Sequence, residues 1–253
     1  MLEQFLNLNI FGFFLIFARV GTAIMMMPGF SATYVPTWIR LGFALSLSFV
    51  VSPILMPIMP VEPSSAAAQM LLVLNEVVVG AFMGMLARIA IGALQTAGTV
   101  IAFVSSMANS LSQDAVSEQQ SSIISNFLTT TGVLLVFVTD MHHLMISALV
   151  ESYAVFVPAI QPTIGDMAFM LATNITESFA LGLQIASPFV LSGIVYYTVL
   201  GVFGRLMPAL PVFFFAMPAQ IAMQLALMII VLSSIMMVFL RHFQDVHIGF
   251  LNP

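Results

Sequence analysis

The 253-residue chain is predicted to be all-α, a multi-helix protein of a membrane or membrane complex with broken helices. Three observations predict it. Hydrophobic residues make up 61% of the chain and charged ones 6%, against about 25% charged in an ordinary soluble domain. Mean hydropathy is +1.13. Apolar runs reach or exceed the roughly 20 residues a helix needs to cross a hydrocarbon core, and they lack the alternation of a membrane barrel. The same composition excludes a soluble enzyme, a disordered chain and a nucleic-acid binder, which needs a basic face. The only basic groups besides histidine are Arg19, Arg40, Arg88, Arg205 and Arg241, too few to fix an orientation across the membrane. With no cysteine, disulfides and thiolate sites are also excluded.

The first apolar run extends from about Phe5 to Met27 and stops at Pro28-Gly29. Its acidic start and internal Arg19 make a poor secretory signal, so the segment is expected to stay in the mature protein. A second run, Leu41 to Met59, closes on a proline cluster; a third, Met70 to Val104, is too long for one span. A fourth runs from about Ile123 to Val157, and Ala159–Thr176 reads as a polar linker. The last two, Phe179–Leu206 and Val212–Leu240, form a helical hairpin around Pro208, Pro211 and Pro218, with no charge between Arg205 and Arg241. The chain is therefore divided at about residue 178, into 1–178 and 179–253, and shows no internal repeat.

Residues 105–122 are polar yet contain no Gly, no Pro and only two charges. An extramembrane helix-loop between spans explains this. So does uncharged polar chain facing a water-filled passage, since irregular backbone at membrane depth is tolerated only there or inside protein.

Two further constellations carry candidate chemistry. Glu76, Gly80, Gly84 and Arg88 recur every four residues, and Gly80-x-x-x-Gly84 permits close approach of a neighbouring helix. Glu76 and Arg88 lie about 18 Å apart along one helix, so each needs a partner on another helix or chain; a packing face with snorkelling end charges is the plainer reading. Asp140, His142 and His143 suggest a metal or proton site. Adjacent histidines point to different sides of a helix, however, and a helix end at a wet boundary is favoured, so no metal is expected. No nucleophile elbow or phosphate loop is present, so an enzyme has no support.

Several stretches, in order, resemble the FliR family of flagellar export-gate subunits, called SctT in injectisomes. They are Phe17-Ala18-Arg19-Val20-Gly21, Pro28-Gly29-Phe30, Val35-Pro36-x-x-Ile39-Arg40-Leu41-Gly42, Glu76 with Gly80 and Gly84, and Gln95-x-x-Gly98 before the polar segment. The closest likeness is Leu200-Gly201-x-x-x-Arg205-x-x-Pro208-x-x-x-Val212-Phe213, then Met217-Pro218. Ala209, Pro211 and Asp114-Ala115 depart from the family's usual pattern.

The resemblance implies a FliP-like part, 1–178, followed by a FliQ-like helical hairpin, 179–253. It further implies a core subunit of the flagellar type III export gate, in the basal body at the bacterial inner membrane. Such a subunit forms and seals the channel for unfolded export substrates without cofactor or catalysis. Implied partners are FliP-like and FliQ-like subunits, a large FlhA/FlhB-type protein and membrane lipid. The central loop 105–122 would supply a channel plug, with Met107, Asn109, Ser110, Leu111, Ser112 and Gln113 facing the channel. Arg19, Glu76, Arg88, Glu177 and Arg205 would be subunit-interface or intramembrane charges, and Gly80 and Gly84 packing positions. The alternative function is a secondary transporter of a small solute, which broken helices and intramembrane charges also fit.

Overall fold

The structure, a computed structural model, describes residues 2–32, 35–107, 122–207 and 212–249. The described residues form seven α-helices and one 3₁₀ turn, with no strand among them: α1 (Leu2–Met26), α2 (Thr37–Leu55) running into the turn Met56–Ile58, α3 (Ala66–Val104), α4 (Ile123–Val138), α5 (Met141–Val155), α6 (Ile164–Leu206) and α7 (Val212–Ile248). Four of the helices are long and apolar enough to cross a membrane, or five spans if α4 and α5 count together.

Two expectations about element bounds are corrected. The run Ile123–Val157 is not one helix: α4 and α5 meet at a 76° bend. The bend is made at Asp140, whose φ of 60° is left-handed; aspartate is one of the few residues besides glycine to adopt that conformation readily. The run contains no proline, and its one glycine, Gly132, lies within α4, so the usual breaker signal is missing at the bend. Nor is Ala159–Thr176 a linker throughout, because α6 starts at Ile164. Thr163-Ile164-Gly165-Asp166 carries the Thr-x-x-acid pattern of a helix start, and Asp166 places a negative charge in the first turn, where the helix dipole favours it. The division expected at 178/179 falls within α6.

Chain contacts group into two compact units. Unit 1 contains 1–90, 136–175 and 243–253; unit 2 contains 91–135 and 176–242. In unit 1, α1 lies hard against α3. A Cβ on Gly80 would stand 2.3 Å from the Arg19 carbonyl oxygen, and one on Gly84 would stand 2.8 Å from that of Ala23. Only glycine allows backbones this close. The turn after α1 needs Gly29, with φ 85°, and an added Cβ there would strike the Phe137 ring. Phe30 stacks on Phe43 with centroids 4.9 Å apart and meets Phe137 edge-on at 5.5 Å. Arg40 pins the same turn by donating to the carbonyls of Val35 and Ala32 at 3.0 and 2.6 Å.

Unit 2 holds an antiparallel hairpin of α6 and α7. Ser178 meets His242, Ser192 meets Gln224 and Tyr197 meets Gln220, so partners advance along one helix as they retreat along the other. Pro188 and Pro218 both lie inside these helices rather than ending them.

Candidate functional site: anchors of a polar segment

Of the polar segment, the structure describes the two ends. Met107 closes the first described stretch. Asn109, Ser110, Leu111, Ser112 and Gln113 lie outside the described residues. Both ends are held within unit 2 by side chains that close hydrogen-bond networks.

At the outgoing end, α3 stops at Val104 and Ser106 turns the chain with a left-handed φ of 58°. Val104 thereby loses a helical partner for its carbonyl, and the Gln220 amide replaces it, donating from Nε2 at 2.6 Å. Gln220 is only 2% exposed, so its other groups also need partners. Its Nε2 donates to the Tyr197 hydroxyl at 3.1 Å, and its Oε1 accepts from Ser106 Oγ at 3.2 Å. Ser106 Oγ and the Tyr197 hydroxyl are 3.0 Å apart. With Tyr197 donating to Ser106, the three side chains form a closed ring in which each bond polarises the next. One turn on, the buried Gln224 donates to the Phe189 carbonyl at 3.3 Å and accepts from Ser192 at 3.4 Å. Tyr196 donates to the carbonyl of Ala216.

At the returning end, Ser122 Oγ accepts from the Ser125 amide at 3.0 Å, satisfying one of the free N–H groups at the start of α4. Ser125 Oγ donates to the Gln95 carbonyl at 3.1 Å. A Cβ on Gly98 would lie 2.3 Å from Ser125 Cα. The Gln95-x-x-Gly98 pattern is therefore the seat on which the chain re-enters the helical body.

In unit 1, Arg19 and Glu76 form a buried ion pair. Arg19 is 1% exposed and Glu76 3%. The guanidinium engages both carboxylate oxygens, Nε at 2.6 Å and Nη2 at 3.1 Å. It also donates to Ser152 Oγ at 3.2 Å and the Phe156 carbonyl at 2.8 Å, and lies over the Tyr153 ring at 3.7 Å. One residue thereby joins α1, α3 and α5.

The remaining charges flagged in the sequence are not brought together. Arg88, Glu177 and Arg205 are exposed and make no hydrogen bond among the described residues. Asp140, His142 and His143 do converge, contrary to the expectation that neighbouring histidines diverge: the two imidazole centroids are 4.2 Å apart. At the first turn of α5, the ring of His142 leans back onto Phe137 and that of His143 follows.

Sequence reasoning did not single out Gln220, Gln224, Tyr197, Ser152 or Tyr153. Gln220 and Gln224 had a signal, two amides four residues apart in a charge-free run, where only an internal partner makes them tolerable.

The fold and these networks define an all-helical membrane-complex protein with a polar segment clamped at both ends. Residues 10–246 match the family model of bacterial export proteins, family 1. The chain is 33% identical over 231 residues to the flagellar biosynthetic protein FliR of Caulobacter vibrioides, covering 91% of this chain and 92% of that one. It is 29% identical to FliR of Bacillus subtilis, covering 89% and 88%, and 28% identical to FliR of Aquifex aeolicus, covering 96% and 92%. The chain belongs to the FliR family of bacterial export proteins.

Proposed function

We propose that this chain is a core subunit of the flagellar type III protein export gate at a bacterial inner membrane, where it helps form and seal the passage for unfolded substrates. The observation that carries the reading is the family match over residues 10–246, with relatives named as flagellar biosynthetic proteins along most of their length. The protein performs no chemistry in this role.

Residues 105–122 are the proposed plug, with Met107, Asn109, Ser110, Leu111, Ser112 and Gln113 toward the channel. Uncharged polar side chains suit a wet passage that must release its cargo. Fixed ends support the assignment, since a plug that moves aside must stay tethered.

FliP-like and FliQ-like subunits, with a larger FlhA/FlhB-type protein, are the proposed partners. Helix length supports them. The 43 residues of α6 extend about 64 Å, roughly twice a hydrocarbon core. Exposed apolar surface also supports them: the most apolar windows of α2 and α6 are only 22% buried. An apolar groove of about 510 Å³ opens between α1 and α2, lined by Ile10, Phe13, Phe49, Ser52, Pro53 and Met56. Arg88, Glu177 and Arg205 would meet sister subunits, where an ion pair is cheaper than a charge in lipid, at about 2.5–3.5 kcal/mol each.

The test is co-expression with the FliP-like and FliQ-like proteins of the same genome, tagging this chain alone and measuring the mass of the detergent-purified species. One discrete complex containing all three is expected. A lone monomer or homodimer, with the other two well expressed, would overturn the reading and favour the small-solute transporter.

A further inference from the structure

We propose that Asp140, His142 and His143 form a binding site for a divalent transition-metal ion of the zinc class. One carboxylate oxygen and one imidazole nitrogen from each histidine all lie within 4.8 Å of one another. The three residues span the α4–α5 turn and the first turn of α5, within unit 1.

Two features separate this cluster from a chance meeting of polar groups. His142 Nδ1 is buried and has no hydrogen-bond partner among the described residues. Buried polar atoms are nearly always satisfied, and an orphan nitrogen is costly unless a ligand occupies it. Asp140 is the second. It occupies the N-cap position of α5, where an aspartate side chain usually accepts from the helix's free N–H groups, yet it makes no such bond. Its left-handed backbone leaves the carboxylate beside the imidazoles, without a protein partner among the described residues.

The cluster is also held in place. The His142 ring stacks on Phe137 at 5.1 Å and 17°, and Phe137 packs against Phe30, which stacks on Phe43. His143 and Asp140 are exposed and free to adjust. Metal–ligand distances of about 2.0–2.2 Å put two ligands of one ion no more than about 4.4 Å apart, so closure needs only small rotations of those two side chains.

Two imidazoles and one carboxylate suit zinc, nickel, cobalt or ferrous iron rather than magnesium or calcium, which prefer all-oxygen sites. Water would complete the coordination. Bound there, the ion ties the turn residue to the first turn of α5 and stiffens the 76° bend between α4 and α5.

The test uses the full chain in detergent, carried on a histidine-free tag and stripped with a chelator. Zn²⁺ is titrated against a chromophoric chelator, and Co²⁺ binding is followed by its visible absorption. One Zn²⁺ per chain is expected. His143→Ala, at an exposed position, should weaken binding by more than about tenfold, the lower end of what even outer-shell changes cost. His242→Ala, whose ring meets Ser178 in unit 2, should leave it unchanged. His143→Asn provides a second variant of conserved size, and circular dichroism checks that both remain helical. Absence of stoichiometric Zn²⁺ binding would overturn the site, as would wild-type affinity in either His143 variant.

Discussion

Arg19 and Glu76 are withdrawn from water as a pair, and several kcal/mol of desolvation per ion is offset only because each guanidinium nitrogen finds an acceptor. Removing one partner should therefore be far worse than removing both. Glu76→Ala is expected to destabilise the protein by about 3–5 kcal/mol by leaving a buried guanidinium uncompensated, whereas Arg19→Met with Glu76→Leu should recover most of that loss. Thermal unfolding of the purified chain measures both; a double variant no more stable than the single would contradict the account. Both charges were legible in the sequence as anomalies inside apolar runs. Their pairing was not, because they stand 57 positions apart and the further partners of Arg19, Ser152 and Tyr153, are neutral residues with no periodic signature. The convergence of the histidine rings was not legible for a different reason. Divergence of adjacent side chains holds in a helix interior, whereas here a left-handed residue and an aromatic stack set the first turn.

At the scale of elements, stops written in proline and glycine were readable, and those written in anything else were not. Pro28-Gly29 ends the first run at a glycine with positive φ, and α6 ends at Leu206, the bound read from the sequence. The bend at Asp140 and the start of α6 at Ile164 use residues of weaker signal, so the apolar pattern overstates the length of one helix and understates that of another. The crossing of α3 and α4 is where an element-scale change should reach the polar segment. Gly98→Val would drive a branched side chain into the Ser125 backbone, 2.3 Å from the position of the first added carbon. Overpacking of this kind costs about 1–3 kcal/mol, and α4 is expected to lift at its start. Hydrogen exchange at the amides of 125–127 should then speed up markedly, while those of α1 stay protected. Unchanged exchange at 125–127 would show that Gly98 is not the seat of the returning chain.

For the whole molecule, composition established helices and membrane association, yet it could not say what covers the apolar faces. A leucine against lipid and a leucine against a sister subunit are the same residue in the same pattern. Family membership supplies the context in which α3 and α6, both longer than a bilayer is thick, belong to an assembly. The central claim is that the polar segment lines and closes the export passage. Since the chain has no cysteine, single cysteines can be placed at Asn109 and Leu111, with Trp38→Cys on the exposed start of α2 as the control. An export substrate stalled in transit and carrying a thiol-reactive crosslinker is then captured in cells. Adducts at positions 109 and 111 but not at 38 are expected. Adducts at neither segment position, in a complex that assembles and exports normally, would contradict the account.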